Sequence, residues 1–384
     1  MKVYLDNAST TFPKPKVVAD SIYNYLVNVG GNANRSNHSN SLESNREIFT
    51  ARERIAKFFN YDKIENVVFT NNITASLNTL IKGVLRKGDH VITSSVEHNS
   101  VIRPLIWCKE NLNVEIDFVK ASSNGFINPK DIENFIKNNT KLVVITHASN
   151  VVGTIQPIKE VGEICKKHGI FFIVDTAQSA GTVPIDFKEI NASALAFTGH
   201  KSLLGPQGIG GFIIDNDLNE ICTPLLQGGT GSLSHEIHQP TFMPDKFESG
   251  TLNIPGIVGL SNGIEFINKV GIHNIKEKNS NLYKRLLNGL LNIKNYEVYG
   301  DTTGNNATTS LSFNLKGVDT SELSFYLESY GISNRSGLHC APMCHETIGT
   351  FPSGTVRLSI SYFNTEEDID YALSILKKAS EDLY

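Results

Sequence analysis

The sequence predicts an α/β protein in which a large domain with a mainly parallel sheet is followed by a smaller α+β domain. Through the first two-thirds of the chain, short apolar runs rich in β-branched residues alternate with helical patterns, as in a parallel sheet covered on both faces. After about residue 265 the pattern changes to a strand of alternating exposure, "TTSLSFNL", and helices. The predicted strands of the large domain are 67–70, 90–94, 141–147, 170–175, 194–198 and 210–214.

The helices of the large domain follow these strands. After strand 67–70, apolar residues at helical spacing predict a helix in "NNITASLNTLIKGVL". Strand 90–94 precedes "EHNSVIRPLIWCKENL". The helix around "KEVGEICKKHG" is expected to end at Gly169, since glycine favours the left-handed conformation of a helix C-cap.

The C-terminal part begins with a helical stretch over 259–294. In "DTSELSFYLESYG", Asp319 and Glu322 have the spacing of a capping box, and Gly331 is the expected end of the helix. "GTVRLSISY" predicts a strand, and Thr365 opens the final amphipathic helix. We place the domains at residues 1–15 (a segment beside the small domain), 16–262 (the large domain) and 263–384 (the small domain).

The composition is that of an ordinary soluble globular protein. Of 384 residues, 40% are hydrophobic and 19% are charged, and the net charge is -4. This charge gives no global attraction to nucleic acid or to anionic membranes, so neither is a predicted partner. No apolar run has the length of a signal peptide or a membrane span, and five cysteines are too few for a disulfide scaffold. We therefore predict a cytoplasmic protein with free thiols.

The segment "NRSGLHCAPMCHE" (334–346) contains two cysteines, Cys340 and Cys344, each next to a histidine. It allows four interpretations: a zinc site, a disulfide, two buried thiols or a reactive nucleophile. Zinc normally requires a second pair of ligands, none of which is evident, so no metal is predicted. A reducing compartment disfavours a disulfide, and burial suits Cys344 better than Cys340. The other cysteines, which we expect to be buried, are Cys108, Cys165 and Cys222.

Polar residues follow five of the predicted strands, at the sheet edge where ligands of open α/β proteins bind. One such residue is usually a cap, a turn former or a satisfied core histidine, and a lone lysine is usually a surface charge. The combination is what indicates a site. In chain order these residues are Thr74, Ala75 and Ser76, then Glu97 and His98, then Asn150, then Asp175 and Gln178, and finally Thr198 to Lys201.

This set suits pyridoxal phosphate, a cofactor that needs a lysine, an acid and an anion site. Lys201 would form the Schiff base, and Asp175 would keep the pyridinium nitrogen protonated so that the ring accepts electrons. Asn150 would hold the phenolic oxygen, and His98 would stack on the ring. The helix N-terminus at Thr74 would bind the phosphate through hydroxyls and free amides.

Four segments together resemble one known family: "SNVVGT", "VDTAQSAG", "TGHKSLLGPQGIG" and "RSGLHCAP". The sequence resembles the class V aminotransferase fold and, within it, the cysteine desulfurases and selenocysteine lyases. The similarity runs in order from "YLDNASTT" to "VRLSISYFNTEEDID", which is nearly the whole chain. It implies the pyridoxal-phosphate-dependent, aminotransferase-like fold of type I, with a seven-stranded sheet in the large domain.

The resemblance also implies roles for the matching residues. Cys340 corresponds to the nucleophile, and Lys201 and His98 to the other catalytic residues. Arg357 corresponds to the arginine that grips the substrate carboxylate, with Arg335 and Asn150 near the substrate. The implied cofactor contacts are Thr74, Ala75, His98, Asn150, Asp175, Gln178, Thr198, His200 and Lys201, with Gly250 and Thr251 supplied by the neighbouring subunit of a homodimer.

The activity implied by the resemblance is the conversion of L-cysteine to L-alanine, with a persulfide left on Cys340. Only a thiolate is nucleophilic enough for this step, and His339 and Arg335 are the neighbours expected to favour it. A sulfur-acceptor protein is a further implied partner. The loop that carries Cys340 is short, as in relatives with an ordered catalytic loop. Asn34 precedes Arg35 where many of those relatives have histidine.

Other functions stay open at this point. Selenocysteine lyase, cysteine sulfinate desulfinase and plain aminotransferase reactions use the same scaffold, although a plain aminotransferase has no need of Cys340. A non-catalytic protein that binds the cofactor or handles sulfur is the alternative from another class. The presence of Lys201, Asp175, Arg357 and Cys340 together counts against it, because a scaffold protein needs none of them.

Overall fold

The fold was obtained as a computed structural model, which describes residues 1–33 and 38–384. Its strands lie in three sheets within these residues. In chain order they are β1 (Val3–Tyr4), β2 (Val67–Thr70), β3 (His90–Ser94), β4 (Glu115–Val119), β5 (Thr140–Thr146), β6 (Phe171–Asp175), β7 (Ala194–Thr198), β8 (Gly210–Ile214), β9 (Tyr296–Tyr299), β10 (Ser310–Leu315), β11 (Ile332–Ser333), β12 (Arg335–Gly337) and β13 (Thr355–Ser359).

The α-helices cover both faces of the largest sheet and one side of the C-terminal sheet. A short π-helix (Tyr25–Val29) and a 3-10 turn (Ile64–Asn66) accompany them. The α-helices are α1 (Lys16–Asn24), α2 (Ser39–Phe58), α3 (Ile73–Val84), α4 (Asn99–Leu112), α5 (Pro129–Asn134), α6 (Ile158–His168), α7 (Asn216–Ile221), α8 (Ile254–Val270), α9 (Ile272–Leu291), α10 (Thr320–Ser329), α11 (Pro342–Ile348) and α12 (Glu366–Asp382).

The largest sheet has seven strands among the described residues, in the order β2-β8-β7-β6-β5-β3-β4. Strands β3 to β7 pair in parallel, whereas β8 is antiparallel to both β7 and β2. The sheet is therefore mixed but mainly parallel, and the predicted α/β fold class is confirmed. The carboxyl ends of β5, β6 and β7 lie side by side, which is the edge where we expected the site.

Strand β4 was not predicted from the sequence. Its segment, Glu115–Val119, carries two acidic residues and is mostly exposed or half-buried. It pairs only with β3, at the edge of the sheet. An edge strand does not need to be apolar on both faces, so the apolar pattern used to find the other strands does not appear in it.

The C-terminal sheet is antiparallel, in the order β12-β13-β10-β9. The N-terminal segment lies against it: β1 pairs in parallel with β11, and Asp6 bridges to Ser359 at the end of β13. Residues at the start of the chain are thereby brought to the strands that carry Arg335 and Arg357. The exact division into residues 1–15, 16–262 and 263–384 stays a prediction.

Two helix predictions change in detail. The stretch 259–294 is two helices, α8 and α9, which are separated at Gly271 with φ of 88°. Asp319 caps α10 by accepting a hydrogen bond from Ser321 N (2.8 Å), while the reciprocal capping box lies on α12, between Thr365 and Asp368. Gly169 takes the left-handed C-cap conformation of α6, as predicted.

The longest described helices, α2 and α9, have 20 residues each. Crossing a bilayer takes a helix of about 20 mainly apolar residues. None of the helices in residues 1–33 and 38–384 combines that length with sufficient apolar character.

Candidate active site

The site is built on the ends of β6 and β7, which are neighbouring parallel strands. Asp175 is the last residue of β6 and lies opposite Ala196 in β7. Thr198 ends β7, and His200 and Lys201 follow in the turn. Asp175 is buried, and its Oδ1 accepts a hydrogen bond from Ala177 N (2.8 Å). The two strand ends therefore place a carboxylate and a lysine at one edge of the sheet.

Lys201 and Asp175 alter each other's protonation. Burial lowers the pKa of Lys201 to about 8, where the Asp175 carboxylate opposes the shift and the Arg357 and Arg335 guanidinium groups add to it. Burial also raises the pKa of Asp175, while the Ala177 N–H and Lys201 favour its charged form. A lysine with this pKa has an appreciable neutral fraction near neutral pH, which a nucleophilic or proton-accepting amine requires.

Two buried polar atoms beside Lys201 have no partner among the described residues. They are Thr198 Oγ1 and His200 Nδ1. Unsatisfied buried polar atoms are costly, and they are uncommon unless a ligand or water completes them. The His200 ring is neutral at physiological pH, because burial and then the charges of Lys201 and Lys14 lower its pKa to about 4. These two atoms are therefore free to hydrogen-bond to a ligand.

The N-terminus of α3 lies after β2, where the anion site was predicted. Asn72 caps the helix: its side chain accepts a hydrogen bond from Ala75 N (3.0 Å). The predicted contact through the Ala75 amide would therefore need the Asn72 side chain to turn away. Thr74 is exposed at the same end, and its side chain lines a groove together with His98 and Cys340.

His98 lies at the N-cap of α4. Its Nδ1 accepts a hydrogen bond from Ser100 N (3.0 Å), which fixes the ring direction. Burial lowers its pKa to about 4, with further contributions from Lys201, Arg335 and Arg103. The imidazole is therefore neutral near pH 7. A neutral ring is suited to stacking on the aromatic ring of a cofactor.

The Cys340 loop is held by two hydrogen bonds from residues that follow strands of the large sheet. Asn150 Nδ2 donates to His339 O (2.6 Å), and Asn99 N donates to Cys340 O (2.8 Å). His339 and Cys340 both have positive φ, 47° and 59°. These contacts compensate for backbone conformations that non-glycine residues rarely adopt. The Asn150 amide nitrogen is thereby engaged with the loop.

Two arginines face each other across β12 and β13. Arg335 and Arg357 are directly paired in register, and Arg357 is only 1% exposed. Arg357 donates to Asp6 Oδ1 and Ser9 Oγ (both 3.1 Å) and to Asn150 O (2.7 Å). Arg335 donates to Ser9 Oγ (3.3 Å) and lies 3.7 Å from Cys340 Sγ. Like charges opposite each other are unfavourable, so this pair is suited to binding an anion such as a carboxylate.

The two cysteines of the opening motif lie in different environments. Both are free thiols, Cys340 exposed and Cys344 buried in α11. Ser149 Oγ lies 3.8 Å from Cys344 Sγ, and burial raises the pKa of the Cys344 thiol to about 12. A buried, protonated thiol is a poor nucleophile, so Cys344 is suited to packing and Cys340 to chemistry. The burial predicted for Cys108, Cys165 and Cys222 is confirmed.

Gln178 is engaged with the N-terminal segment, and Gly250 and Thr251 lie at the surface. The Gln178 side chain donates to Ala8 O (3.1 Å) and so holds the N-terminal segment. Gly250 and Thr251 are exposed, and Thr251 lines a surface depression of about 240 Å³ together with Ala75. Their predicted role toward a neighbouring subunit is compatible with this exposure.

A buried ion pair fixes the segment that leads to Gly250. Arg52 of α2 pairs with Glu248 (2.5 Å), and both side chains are buried. Arg52 also donates to Val67 O, and Glu248 Oε1 accepts from Phe69 N (2.7 Å). The pair therefore connects α2, strand β2 and the exposed segment at Gly250.

Two further predictions concern residues around the site. Asn34 and Arg35, noted as a departure at the site entrance, lie outside the described residues. Across residues 1–33 and 38–384, no group of three or more His, Cys, Asp and Glu side chains is arranged to hold a metal ion.

Because His147 is buried in its neutral form, we expect the protein to lose stability in acid. Burial lowers the pKa of His147 to about 4 from the ordinary 6.5, so below pH 6.5 the unfolded chain takes up a proton that the folded protein does not. This contribution is complete above pH 6.5 and decreases as the pH falls toward 4. Between pH 7 and pH 5, the free energy of unfolding of the parent protein should therefore fall by about 2 kcal/mol more than that of the His147→Gln variant.

Urea unfolding at the two pH values measures this difference. The matched control is His235→Gln, because His235 is exposed and solvated in both the folded and the unfolded state. An equal loss in the parent and in His147→Gln would show that His147 does not contribute.

A family model described as "Aminotransferase class-V" matches residues 3–372 of this sequence. The chain belongs to the class-V aminotransferase family. The resemblance seen in the four sequence segments is confirmed, and with it the family's fold.

Two curated relatives and one solved structure that are similar to this chain are all named cysteine desulfurases. A "Probable cysteine desulfurase" of Methanothermobacter thermautotrophicus is 37% identical over 96% of this chain and 92% of the relative. "Cysteine desulfurase IscS" of Clostridium botulinum is 31% identical over 98% and 94%. The solved structure of a cysteine desulfurase from Thermococcus onnurineus NA1 superposes with a TM-score of 0.94 at 32% identity, covering 99% of this chain and 95% of that one.

Some residues that shape the site were not found by sequence reasoning. Asp6 and Ser9 hold the two arginines, although they lie more than 300 residues from them in the chain. Glu97 was among the strand-end residues found in the sequence, but its hydrogen bond from Thr146 N (3.0 Å) and its burial, which raises its pKa to about 8, were not predicted. The feature of the sequence that marked Asp6 was its position next to a short strand. No feature of the sequence indicated that Arg357 is its partner.

Proposed function

We propose that this protein is a cysteine desulfurase, which converts L-cysteine to L-alanine and forms a persulfide on Cys340. The observation that carries the proposal is the position of an exposed thiol, Cys340, beside the Arg335 guanidinium in a loop held against the Lys201 site. A plain aminotransferase has no use for such a thiol. The names of the relatives support the same activity.

Pyridoxal 5'-phosphate fits the residues present. The unpaired Thr198 Oγ1 and His200 Nδ1 suit its phosphate, with Thr74 at the helix N-terminus. Asp175 suits its pyridinium nitrogen and His98 its ring face. When bound, the cofactor supplies an electron sink for the charge that develops at the substrate Cα.

The protein's own side chains perform the remaining tasks. Arg357 and Arg335 bind the substrate carboxylate, because their guanidinium groups converge and, in the part of the chain that the structure describes, only Asp6 forms an ion pair with them. The Lys201 amine, whose pKa is lowered to about 8, takes the proton from Cα and returns one on the way to alanine. The Cys340 thiolate attacks the substrate sulfur, so that a sulfur–sulfur bond forms as the carbon–sulfur bond breaks.

Several finer features belong to the same proposal. We propose a cytoplasmic homodimer in which Gly250 and Thr251, both exposed here, complete the phosphate site of the neighbouring subunit. We also propose that Ala75, Asn150 and Gln178 contact the cofactor and that Asn150 lies near the substrate. Selenocysteine lyase activity is the second candidate, since Cys340 and Arg357 would serve a selenium substrate equally.

The activity is tested by giving the purified protein L-cysteine, L-selenocysteine and cysteine sulfinate in parallel and quantifying alanine from each. We expect cysteine to yield alanine with one persulfide per site, detected by mass spectrometry on the peptide containing Cys340. Alanine from selenocysteine alone would favour the second candidate. Absence of alanine from all three substrates would contradict the proposed function.

The cofactor is tested in the same preparation. We expect a yellow protein in which borohydride fixes the cofactor to Lys201, whereas Lys201→Ala takes up no fixable cofactor. Lys14→Ala is the matched control: burial lowers the Lys14 pKa to about 8 as well, but its ammonium donates to His200 O (2.6 Å). Fixation to Lys14 rather than Lys201 would overturn the assignment.

A further inference from the structure

A groove on the protein surface begins at Cys340 and runs between α3 and α4. It has a volume of about 370 Å³. Thr74, His98 and Cys340 form its inner end, so the groove opens directly onto the candidate active site. We call it the α3–α4 groove. Its remaining lining residues are Asn78, Lys82, Asn99, Ser100, Arg103, Pro104 and Trp107.

The outer end of the α3–α4 groove is positively charged and aromatic. Lys82 comes from α3 and Arg103 from α4, and none of the described residues that line the groove is acidic. The Lys82 ammonium lies 4.3 Å from the centroid of the Trp107 ring, a cation–π contact that orients both side chains. Trp107 is 41% exposed although it is a large aromatic residue. Glu110, the acidic residue of α4, lies beyond Trp107.

The catalytic chemistry of the site leaves this end of the groove unexplained. Lys82, Arg103 and Trp107 hold no substrate carboxylate, since Arg357 and Arg335 are placed for that purpose. Arg103 is exposed and forms no ion pair among the described residues. An exposed guanidinium, a half-buried ammonium and an exposed aromatic ring in a groove that starts at a reactive thiol are the composition expected for recognition of an anionic partner.

The dimensions of the groove indicate an extended chain. The Cys340 carbonyl is bonded to Asn99 N, at the start of α4, and Trp107 lies eight residues further along that helix. Eight residues of α-helix span about 12 Å. An extended peptide covers that distance in about four residues. A cysteine at one end of such a segment would reach Cys340 while residues two to four positions away lie at Lys82, Arg103 and Trp107.

We propose that the α3–α4 groove receives an extended acidic segment of a sulfur-acceptor protein, with the acceptor cysteine at Cys340 and its neighbouring carboxylates at Lys82 and Arg103. The proposal rests on the proposed function. The acceptor thiolate attacks the terminal sulfur of the Cys340 persulfide, and a new sulfur–sulfur bond forms on the acceptor. The bond to Cys340 Sγ breaks, and its electron pair leaves Cys340 as a thiolate. No oxidant is consumed.

Occupancy of the groove can be measured without any turnover, because Trp107 is the one tryptophan in the sequence. The holoenzyme is titrated with a peptide of serine followed by three glutamates while Trp107 emission is recorded. We expect saturable binding by this peptide and binding at least about tenfold weaker by serine followed by three glutamines. Raising the salt should remove the difference, since exposed charge pairs are screened.

Transfer is measured with the matching cysteine peptides. The holoenzyme is first converted to its persulfide with cysteine, and the rate at which each peptide gains sulfur is followed by mass spectrometry. We expect the glutamate peptide to react at least about tenfold faster than the glutamine peptide with the parent protein. In the double variant Lys82→Glu/Arg103→Glu this preference should disappear.

Two controls separate the groove from the activity. Lys109→Glu reverses one charge on an exposed residue of α4 outside the groove, and it should preserve the preference. Alanine release with dithiothreitol as the acceptor reports the desulfurase reaction itself, and the double variant should retain it. Equal binding of the glutamate and glutamine peptides, or an equal effect of Lys109→Glu, would overturn the groove proposal. Loss of alanine release by the parent would contradict the proposed function, while the fluorescence titration would still decide the groove.

Discussion

Replacing Cys340 by alanine is expected to lower alanine release from L-cysteine by at least about 10³-fold, as for the loss of an enzymatic nucleophile. The reason is that no other described thiol is exposed beside the site: the remaining cysteines are buried. The cofactor should stay bound, because Cys340 is not among the groups that would hold it. Alanine is quantified by amino-acid analysis, and cofactor content by visible absorbance.

Cys344→Ala is the matched control for this experiment, since it removes a thiol four residues away. Cys344 is buried and protonated, so its removal should change the initial rate of persulfide formation only a few-fold while lowering stability. If Cys344→Ala abolished the reaction while Cys340→Ala retained it, the assignment of the nucleophile would be reversed.

Replacing Glu248 by alanine is expected to reduce the free energy of unfolding by about 3–5 kcal/mol, as when one partner of a buried ion pair is removed. The Arg52 guanidinium would be left buried without its carboxylate, and the Phe69 N–H would lose its acceptor. Urea unfolding followed by circular dichroism measures the change.

Glu43→Ala is the control for the Glu248 experiment, because it breaks an exposed ion pair with Arg46 (3.1 Å). That change should cost less than about 1 kcal/mol. A loss at Glu248 no larger than the loss at Glu43 would show that the buried pair does not stabilise the fold. Because Gly250 lies only two residues after Glu248, the unstable variant should also hold the cofactor less well if a neighbouring subunit depends on this segment.

Much of the fold could be predicted because its pattern is local. The strands β2, β3, β5, β6, β7 and β8 are short apolar runs, and such runs are detectable without knowing their neighbours. The position of Lys201 and Asp175 at one edge then follows from the geometry of parallel strands. Edge strand β4 was missed because its exposed face carries Glu115 and Asp117, which interrupt the apolar pattern.

The candidate site was only partly predictable, since many of its contacts join distant parts of the chain. The residue types at Cys340, Arg335 and Arg357 were visible in the sequence. Their support by Asp6 and Ser9 was not, because the pairing of β1 with β11 and the bridge from Asp6 to Ser359 carry no local signal. Likewise, the hydrogen bonds of Asn150 and Gln178 could be seen only in the folded chain.

The two hydrogen bonds that hold the Cys340 loop have a consequence for how sulfur leaves the protein. Asn150 and Asn99 bond to the carbonyl oxygens of the two peptide groups that flank Cys340. A loop held in this way keeps the Cys340 thiol, and any sulfur bound to it, at one fixed position. It cannot extend outward to carry that sulfur away from the site. Under the proposed function, a recipient would therefore have to bring its thiol to this position on a thin, extended segment, because a thiol on a flat, rigid surface could not reach it.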